Sequence, residues 1–121
     1  MTLQRIPHSL NVPLSAAVRA GGFLFVSGVV ALDASGKVID GDIRAQTQAA
    51  LEIIRSTLHG CGLKPSDVVR TSVWLANLAD SPVFNELYGR FFEGALPARS
   101  AVQATLYGGA LVEIEVQAWA A

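Results

Sequence analysis

Two side chains late in the chain have the chemistry to bind and transform a small carboxylic acid. Arg99 follows Pro97 and Ala98 and opens a predicted strand, where its planar guanidinium could hold a carboxylate through two parallel hydrogen bonds. Glu113 lies near the end of the chain, and a carboxylate beside a bound substrate could take a proton from water. Glu115 has the same predicted side-chain direction, so periodicity does not choose between the two. The pattern alone also allows Arg99 to pair with Glu113 or Glu115 in an ion pair on a sheet face that helps hold an oligomer.

The cysteine and the histidines fit no catalytic or metal-binding pattern. Cys61 lies at a predicted helix end and is interpreted as a small apolar residue. His8 and His59 belong to no triad motif, and no His/Cys cluster has zinc-ligand spacing. The glycine pairs at 21–22 and 108–109 lack the spacing of phosphate-binding loops. We therefore expect neither nucleophilic catalysis nor a structural metal.

Hydrophobic periodicity predicts the element order β, α, β, α, β, β. The predicted strands are 23–30, 68–75, 100–105 and 111–120. A helix capped by Asp42 and ended by Gly62 connects the first two strands. A second helix begins with Ser81 as its cap and Pro82 at its first position. This order describes an α+β domain in which both helices pack on one side of the sheet.

Each predicted helix has one apolar face, and the second predicted strand alternates. The first helix has its apolar stripe at Ile43, Thr47, Ala50, Leu51, Ile54 and Leu58. The second has its stripe at Phe84, Leu87, Tyr88 and Phe91. In strand 68–75, period-two alternation places on one face Val69, Thr71, Val73 and Leu75. These sets predict where the helices and the sheet meet.

The final predicted strand presents two different faces. The set that should meet the helices is Val112, Ile114, Val116 and Ala118. The set that should point away is Leu111, Glu113, Glu115, Gln117 and Trp119. A chain of 121 residues has no third layer to cover that second side. Because 51% of the residues are hydrophobic and only 16% are charged, we expect another subunit to cover it.

Length and charge restrict the class of protein. The 121 residues fit one domain, residues 1–121. Nine Lys and Arg against ten Asp and Glu give a net charge of -1, which provides no basic surface for nucleic acid. The first residues lack a signal-peptide pattern, and the most apolar window, 23–32, is shorter than the roughly 20 residues needed to cross a bilayer. We expect a cytoplasmic protein that engages neither membrane nor nucleic acid.

Five stretches, in this order and spacing, resemble the reactive intermediate deaminase A family (RidA, or YjgF/UK114). Three of them are AGGFLFVSG at 20–28, GDIRAQT at 41–47 and VFNELY at 83–88. The most specific are LPARS at 96–100 and VEIEV at 112–116. The resemblance covers nearly the whole chain. Members have also been labelled endoribonuclease L-PSP, a label that this sequence supports poorly because it has no basic stripe and no histidine pair placed for RNA cleavage.

The resemblance implies a chorismate-mutase-like α+β subunit in a homotrimer with a central barrel and an active site in each cleft between subunits. It implies hydrolysis of 2-imino or enamino acids to 2-oxo acids and ammonia, without metal or cofactor. Arg99 would bind the substrate carboxylate, and Glu113 rather than Glu115 would position the attacking water and move protons. The other pocket residues would be Ser27, Gly28, Phe84, Asn85 and Ala101.

Two positions depart from the family pattern. Leu14 stands where many active members have an aromatic residue, and Ala101 stands where a cysteine or a larger residue is common. Both departures remove pocket contacts, which leaves open a larger imine, a different intermediate, or a member that keeps only the fold and the carboxylate site. Two further alternatives are deamination of an enamine such as 2-aminomuconate and a non-catalytic trimer that binds small carboxylates or a protein partner.

Overall fold

A computed structural model describes residues 3–121, in which the strands form one mixed sheet. The strands are β1 (Gln4–Pro7), β2 (Ser15–Ala20), β3 (Phe23–Val30), β4 (Val68–Leu75), β5 (Ala98–Gln103) and β6 (Val112–Trp119). Their order across the sheet is β1-β2-β3-β6-β4-β5. Strands β4 and β5 pair in parallel, and the other neighbours pair antiparallel. A helix, α2 (Ser81–Phe92), makes the crossover between the two parallel strands.

An aspartate precedes the first residue of each helix, and one of the two predicted caps is displaced. Helix α1 spans Ile43–Gly60, and the Asp42 carboxylate accepts a hydrogen bond from the Ala45 N–H at 2.9 Å, as expected of an N-cap. Helix α2 spans Ser81–Phe92, so the prediction of Ser81 as its cap was wrong by one residue. A 3-10 turn runs directly into α2, and the Ser81 hydroxyl donates to the Leu78 carbonyl of that turn instead.

The apolar faces of the two helices meet one face of the sheet in a single core. All the predicted stripe positions of α1 and α2 are buried. The buried side chains of β6 are Val112, Ile114, Val116 and Ala118, as the alternation predicts. The predicted α+β arrangement with both helices on one side is therefore correct.

Two strands at the start of the chain were not predicted. β1 is four residues long and ends in a proline, and β2 (SAAVRA) is rich in alanine, which has a low preference for strands. β2 is extended because it pairs with β3 through Ala17–Val26 and the next three residue pairs. Pairing with a neighbour along the sheet therefore decides the conformation of this segment, rather than its own composition.

The two strands nearest the far edge also differ from their predicted patterns. The pairing of β4 with β6 shifts between Val68 and Arg70, and this irregularity turns Val69 outward and Val68 inward. The prediction that Val69 shares a face with Thr71, Val73 and Leu75 was therefore wrong, because those three are buried and Val69 is exposed. Strand β5 begins at Ala98 rather than at residue 100. As a fully exposed edge strand, β5 has no apolar alternation by which its start could be recognised.

The sheet face opposite the helices carries a mixture of apolar and ionisable side chains. Glu113, Glu115 and Gln117 are half-buried there, and Trp119 is 50% exposed at the end of β6. The Trp119 ring packs edge-on against Phe23 at 5.3 Å between centroids, next to the exposed Phe25. We call this side the open face, because no element of residues 3–121 packs over these side chains.

Candidate active site

Arg99 lies on the helix side of the sheet, above α2. It pairs across the β4–β5 ladder with Thr71, whose side chain is fully buried under the helices. The Arg99 Nη1 donates to the Asn85 Oδ1 at 2.8 Å. The Arg99 Cζ lies 4.9 Å from the ring centroid of Tyr88 and 5.7 Å from that of Phe84. The guanidinium thus rests on two aromatic rings and is oriented by one amide.

No carboxylate within residues 3–121 is paired with Arg99. The ion pairs in that part of the chain join Arg44 and Arg90 to Glu86, and Arg55 to Glu52. Arg99 is itself exposed. Its remaining N–H groups can therefore receive a carboxylate in the bidentate geometry that a guanidinium favours.

Glu113 lies on the open face beside an irregularity in β3. Val26 pairs with Val116 and Val29 with Ile114, so Ser27 and Gly28 together oppose a single residue of β6. This two-to-one arrangement is a β-bulge, which bends the strand and re-aims the groups around it. A Cβ on Gly28 would overlap the Glu113 carboxylate.

The environment of Glu113 raises its pKa above the ordinary value for a glutamate. Partial burial is the main cause, and the like charge of Glu115 adds to it. Glu113 is flanked on neighbouring strands by Val30 and Trp74, which limit its contact with water. A carboxylate with a raised pKa accepts a proton more readily near neutral pH.

Arg99 and Glu113 project from opposite faces of the sheet. Glu113 is level with Trp74 on the open face, whereas Arg99 is level with Thr71 on the helix side, two strands away from β6. Strand and residue spacings separate their Cα atoms by about 14 Å. One chain therefore cannot bring the two side chains together, and the suggested ion pair of Arg99 with Glu113 or Glu115 is contradicted within a single chain.

The other predicted pocket residues fall into the same two groups. Asn85 and Ala101 accompany Arg99, since Ala101 lies two residues further along the same side of β5. Phe84 also belongs there, but it is only 1% exposed and supports the guanidinium rather than offering a surface to a ligand. Ser27 and Gly28 accompany Glu113 at the bulge.

Ser27, predicted as a pocket residue, and Leu14, which departs from the family pattern, lie in β3 and just before β2. The Ser27 hydroxyl donates to the Ser15 carbonyl at 2.6 Å and so holds β2 against the bulge. Its oxygen retains acceptor capacity. Leu14 immediately precedes Ser15 in the chain, and its side chain is 49% exposed.

The thiol and the imidazoles take no part in either group. Cys61 follows the last residue of α1, where its carbonyl accepts a hydrogen bond from Arg19 at 2.6 Å. The His8 Nδ1 accepts from the Leu10 N–H at 3.0 Å. Between residues 3 and 121 no three His, Cys, Asp or Glu side chains are grouped to hold a metal ion. The same part of the chain has no helix with the length and apolar character to span a bilayer.

Two clefts of the described chain lie away from both groups. One, of about 350 Å³, is lined by α1 residues and the loop after it, including Arg55 and His59. Another, of about 240 Å³, lies between loops 38–41 and 108–111. Neither contains Arg99 or Glu113. Both functional candidates therefore lie outside these two clefts.

Sequence reasoning assigned Tyr88 to the apolar stripe of α2 and missed its contact with Arg99. Its hydroxyl shares a 2.7 Å hydrogen bond with the Thr71 hydroxyl. Burial raises the pKa of Tyr88, an effect partly offset by the bond to Thr71 and by the charge of Arg99. The available signal was the spacing of Phe84, Asn85 and Tyr88, which places all three on adjoining positions of a helix surface.

The fold and these two groups define a class: a small α+β protein with an arginine over aromatic rings on one face of its sheet and a half-buried glutamate on the other. A family model described as Endoribonuclease L-PSP matches residues 6–120. The chain belongs to this family, the RidA/YjgF family, which confirms the predicted membership.

Relatives and solved structures agree with this assignment. A 2-iminobutanoate/2-iminopropanoate deaminase of Mus musculus is 39% identical over 105 residues, covering 85% of this chain and 78% of the relative. A RutC family protein of Pyrococcus horikoshii is 38% identical over 109 residues, covering 88% and 86%. The crystal structure of the Rid-family protein YyfA of Yersinia pestis, a protein described as of unknown function, superposes with a TM-score of 0.91 at 32% identity, covering 98% and 99%.

Proposed function

We propose that this protein is a cofactor-independent deaminase that hydrolyses 2-imino acids, and the enamino acids in equilibrium with them, to 2-oxo acids and ammonia. The observation that carries the proposal is the state of Arg99: exposed, without a carboxylate partner in residues 3–121, and held on Tyr88 and Phe84 by ring contacts. The deaminase name of the mouse relative supports the same reaction class.

Arg99 recognises the carboxylate that every 2-imino acid carries. A charge-assisted contact of this kind contributes about 1.5 to 3 kcal/mol. The imine carbon adjoins the carboxylate and is already electrophilic, so fixing the carboxylate also fixes the reacting atom. Asn85 keeps the guanidinium fork in one orientation through its 2.8 Å bond.

Glu113 moves the protons. Its carboxylate takes a proton from water as the water oxygen bonds to the iminium carbon, which gives a neutral carbinolamine. Glu113 then returns that proton to the amino nitrogen, the C–N bond breaks, and the hydroxyl becomes the carbonyl as its proton leaves with ammonia as ammonium. General acid and base assistance of this kind contributes about 10²- to 10⁴-fold.

The site forms between subunits of a homotrimer. Because Arg99 and Glu113 occupy opposite faces of one sheet, the arginine of one subunit meets the glutamate of its neighbour. In a closed ring each interface joins two different surfaces, which makes all the sites equivalent. The open faces line the central barrel, where apolar side chains such as Phe25, Val102 and Trp119 are removed from water.

The test is semicarbazide trapping of imines released by an L-amino-acid oxidase. Wild-type protein should lower the amount of trapped imine, and Arg99→Ala and Glu113→Gln should not. Arg90→Ala is the matched control, since Arg90 is an exposed arginine on α2 whose carboxylate partner is Glu86. Wild-type protein that leaves trapping unchanged for small, long and aromatic imines contradicts the proposal. The profile across these imines reports how Leu14 and Ala101 shape the pocket.

The alternatives predict different outcomes. An enamine deaminase of the 2-aminomuconate type would consume an enamine but leave oxidase-derived imines untouched. A binding module would bind 2-oxo acids through Arg99 without turnover. Sedimentation tests the assembly, because a monomer at micromolar concentration contradicts a site shared between subunits.

A further inference from the structure

We infer that Tyr88 is a positioning residue for Arg99: its ring, anchored through Thr71, holds the guanidinium in the orientation that receives the substrate carboxylate. The inference rests on the proposed function, because it concerns the residue proposed to bind that carboxylate. It assigns to Tyr88 a task beyond filling the core, where its 5% exposure would otherwise place it.

The ring of Tyr88 has little freedom to move. Phe92 packs against it at 4.7 Å between centroids and Phe84 at 5.4 Å, both tilted. At its far end the hydroxyl is tied to Thr71, which is fully buried in β4. The ring is therefore constrained by two neighbouring rings and, at its tip, by the hydrogen bond to Thr71.

Thr71 connects the ring to the strand that carries the arginine. Thr71 and Arg99 are direct partners in the β4–β5 ladder. Thr71, which anchors the Tyr88 ring, is thus also the residue that pairs with the backbone of Arg99. Any displacement of β5 along β4 would move the guanidinium off the ring.

A second arginine in the chain shows what an aromatic contact looks like without this anchoring. Arg55 lies 4.7 Å from the centroid of Phe91, but Phe91 has no hydroxyl, and the Arg55 Nε contacts the Glu52 carboxylate at 3.3 Å. Among residues 3–121, the groups that orient Arg99 are the amide of Asn85 and the two rings. Phe91 therefore offers a matched control on the same helix.

The ring acts by limiting the conformations of a long side chain before the substrate arrives. A free arginine loses rotamer entropy when it binds, and a side chain already held in place loses less. The guanidinium contacts the carboxylate equally in the substrate and in the transition state. Loss of the ring should therefore raise KM and leave kcat nearly unchanged.

The experiment compares Tyr88→Leu, Tyr88→Phe and Phe91→Leu with wild type in the trapping assay. Tyr88→Leu should raise KM by about 3- to 30-fold, the range of an aromatic–cation contact. Tyr88→Phe restores the ring and should return KM to within about threefold of wild type. Phe91→Leu removes a ring of similar burial beneath a different arginine and should leave KM unchanged. A folded Tyr88→Leu variant with wild-type KM overturns the inference.

A second readout separates this inference from the proposed function. The Nε–Hε resonance of Arg99, assigned by its loss in Arg99→Lys, should be shifted upfield by the Tyr88 ring in wild-type protein without any substrate. The shift should disappear in Tyr88→Leu and persist in Phe91→Leu. If wild type shows this shift but no imine turnover, the positioning of Arg99 stands and only the proposed function fails. If wild type shows no shift, the inference fails, whether or not Tyr88→Leu folds.

Discussion

Two inactive variants should restore activity when they assemble together. Arg99→Ala removes the carboxylate contact and Glu113→Gln removes the base, so neither variant alone should turn over imines. The two side chains leave the sheet on opposite faces and lie about 14 Å apart at their Cα atoms. A site that contains both must therefore draw them from different chains.

The expected recovery follows from this arrangement. In a ring assembled from equal amounts of the two variants, a site is intact only where a Glu113→Gln chain supplies Arg99 to a neighbour that retains Glu113. Each condition holds for half of the chains, so about a quarter of the sites should be intact. If one chain supplied both groups, no site would be intact and activity would stay at background.

The assay is imine trapping after co-expression of the two variants, or after refolding of their mixture. Native mass spectrometry verifies that mixed assemblies form, and a mixture of separately assembled variants serves as the control without exchange. Recovery near a quarter of wild-type activity supports a site shared between chains. Background activity in verified mixed assemblies refutes the reasoning from opposite faces.

Three further substitutions test the geometry of each group. Arg99→Lys keeps the positive charge but loses the planar guanidinium that makes two parallel hydrogen bonds, so kcat/KM should fall by about 10- to 100-fold. The control Arg90→Lys should leave kcat/KM unchanged in the same assay. Gly28→Ala should lower kcat by about 10²-fold while the circular dichroism spectrum stays that of the folded protein. The backbone conformation of Gly28 allows alanine, but the added methyl group would overlap the Glu113 carboxylate. A fully active variant contradicts that contact. Glu115→Gln removes a like charge that raises the pKa of Glu113, so the pKa of Glu113 should fall in this variant. Because activity is lost as pH falls through that pKa, the acidic limb of the kcat/KM profile should move to lower pH. An acidic limb that does not move argues against Glu113 as the base.

The helices and the last strand were predictable because each has a complete periodic signal. The stripe of α1 and the alternation of β6 are each set by burial against the core, and all their apolar positions are buried. β2 has no such signal, because its alanines and serine are compatible with any conformation. Its extended state comes from pairing with β3, a contact that no local window contains.

The residues of the candidate site were predictable from motifs, whereas their faces were not. Arg99 opens the predicted strand 100–105, and periodicity in that short strand does not show which face the Arg99 side chain occupies. The parallel register with β4 starts β5 at Ala98, and this places Arg99 beside Thr71 on the helix side. Periodicity alone also left Glu113 and Glu115 equivalent. Their difference comes from the bulge, which brings Gly28 against the Glu113 carboxylate.

Separation of the two groups has a chemical consequence for the proposed reaction. If Arg99 adjoined Glu113 within one chain, the pair would lower the pKa of the glutamate and occupy the guanidinium fork, weakening both the base and the carboxylate contact. Placed on opposite faces, Glu113 keeps a pKa raised by burial and by Glu115, and Arg99 keeps donors for the substrate. In the proposed assembly the substrate carboxylate lies against the arginine, between it and the glutamate of the neighbouring subunit. Activity is then coupled to assembly, so dilution that dissociates the subunits should abolish turnover before it unfolds the chain.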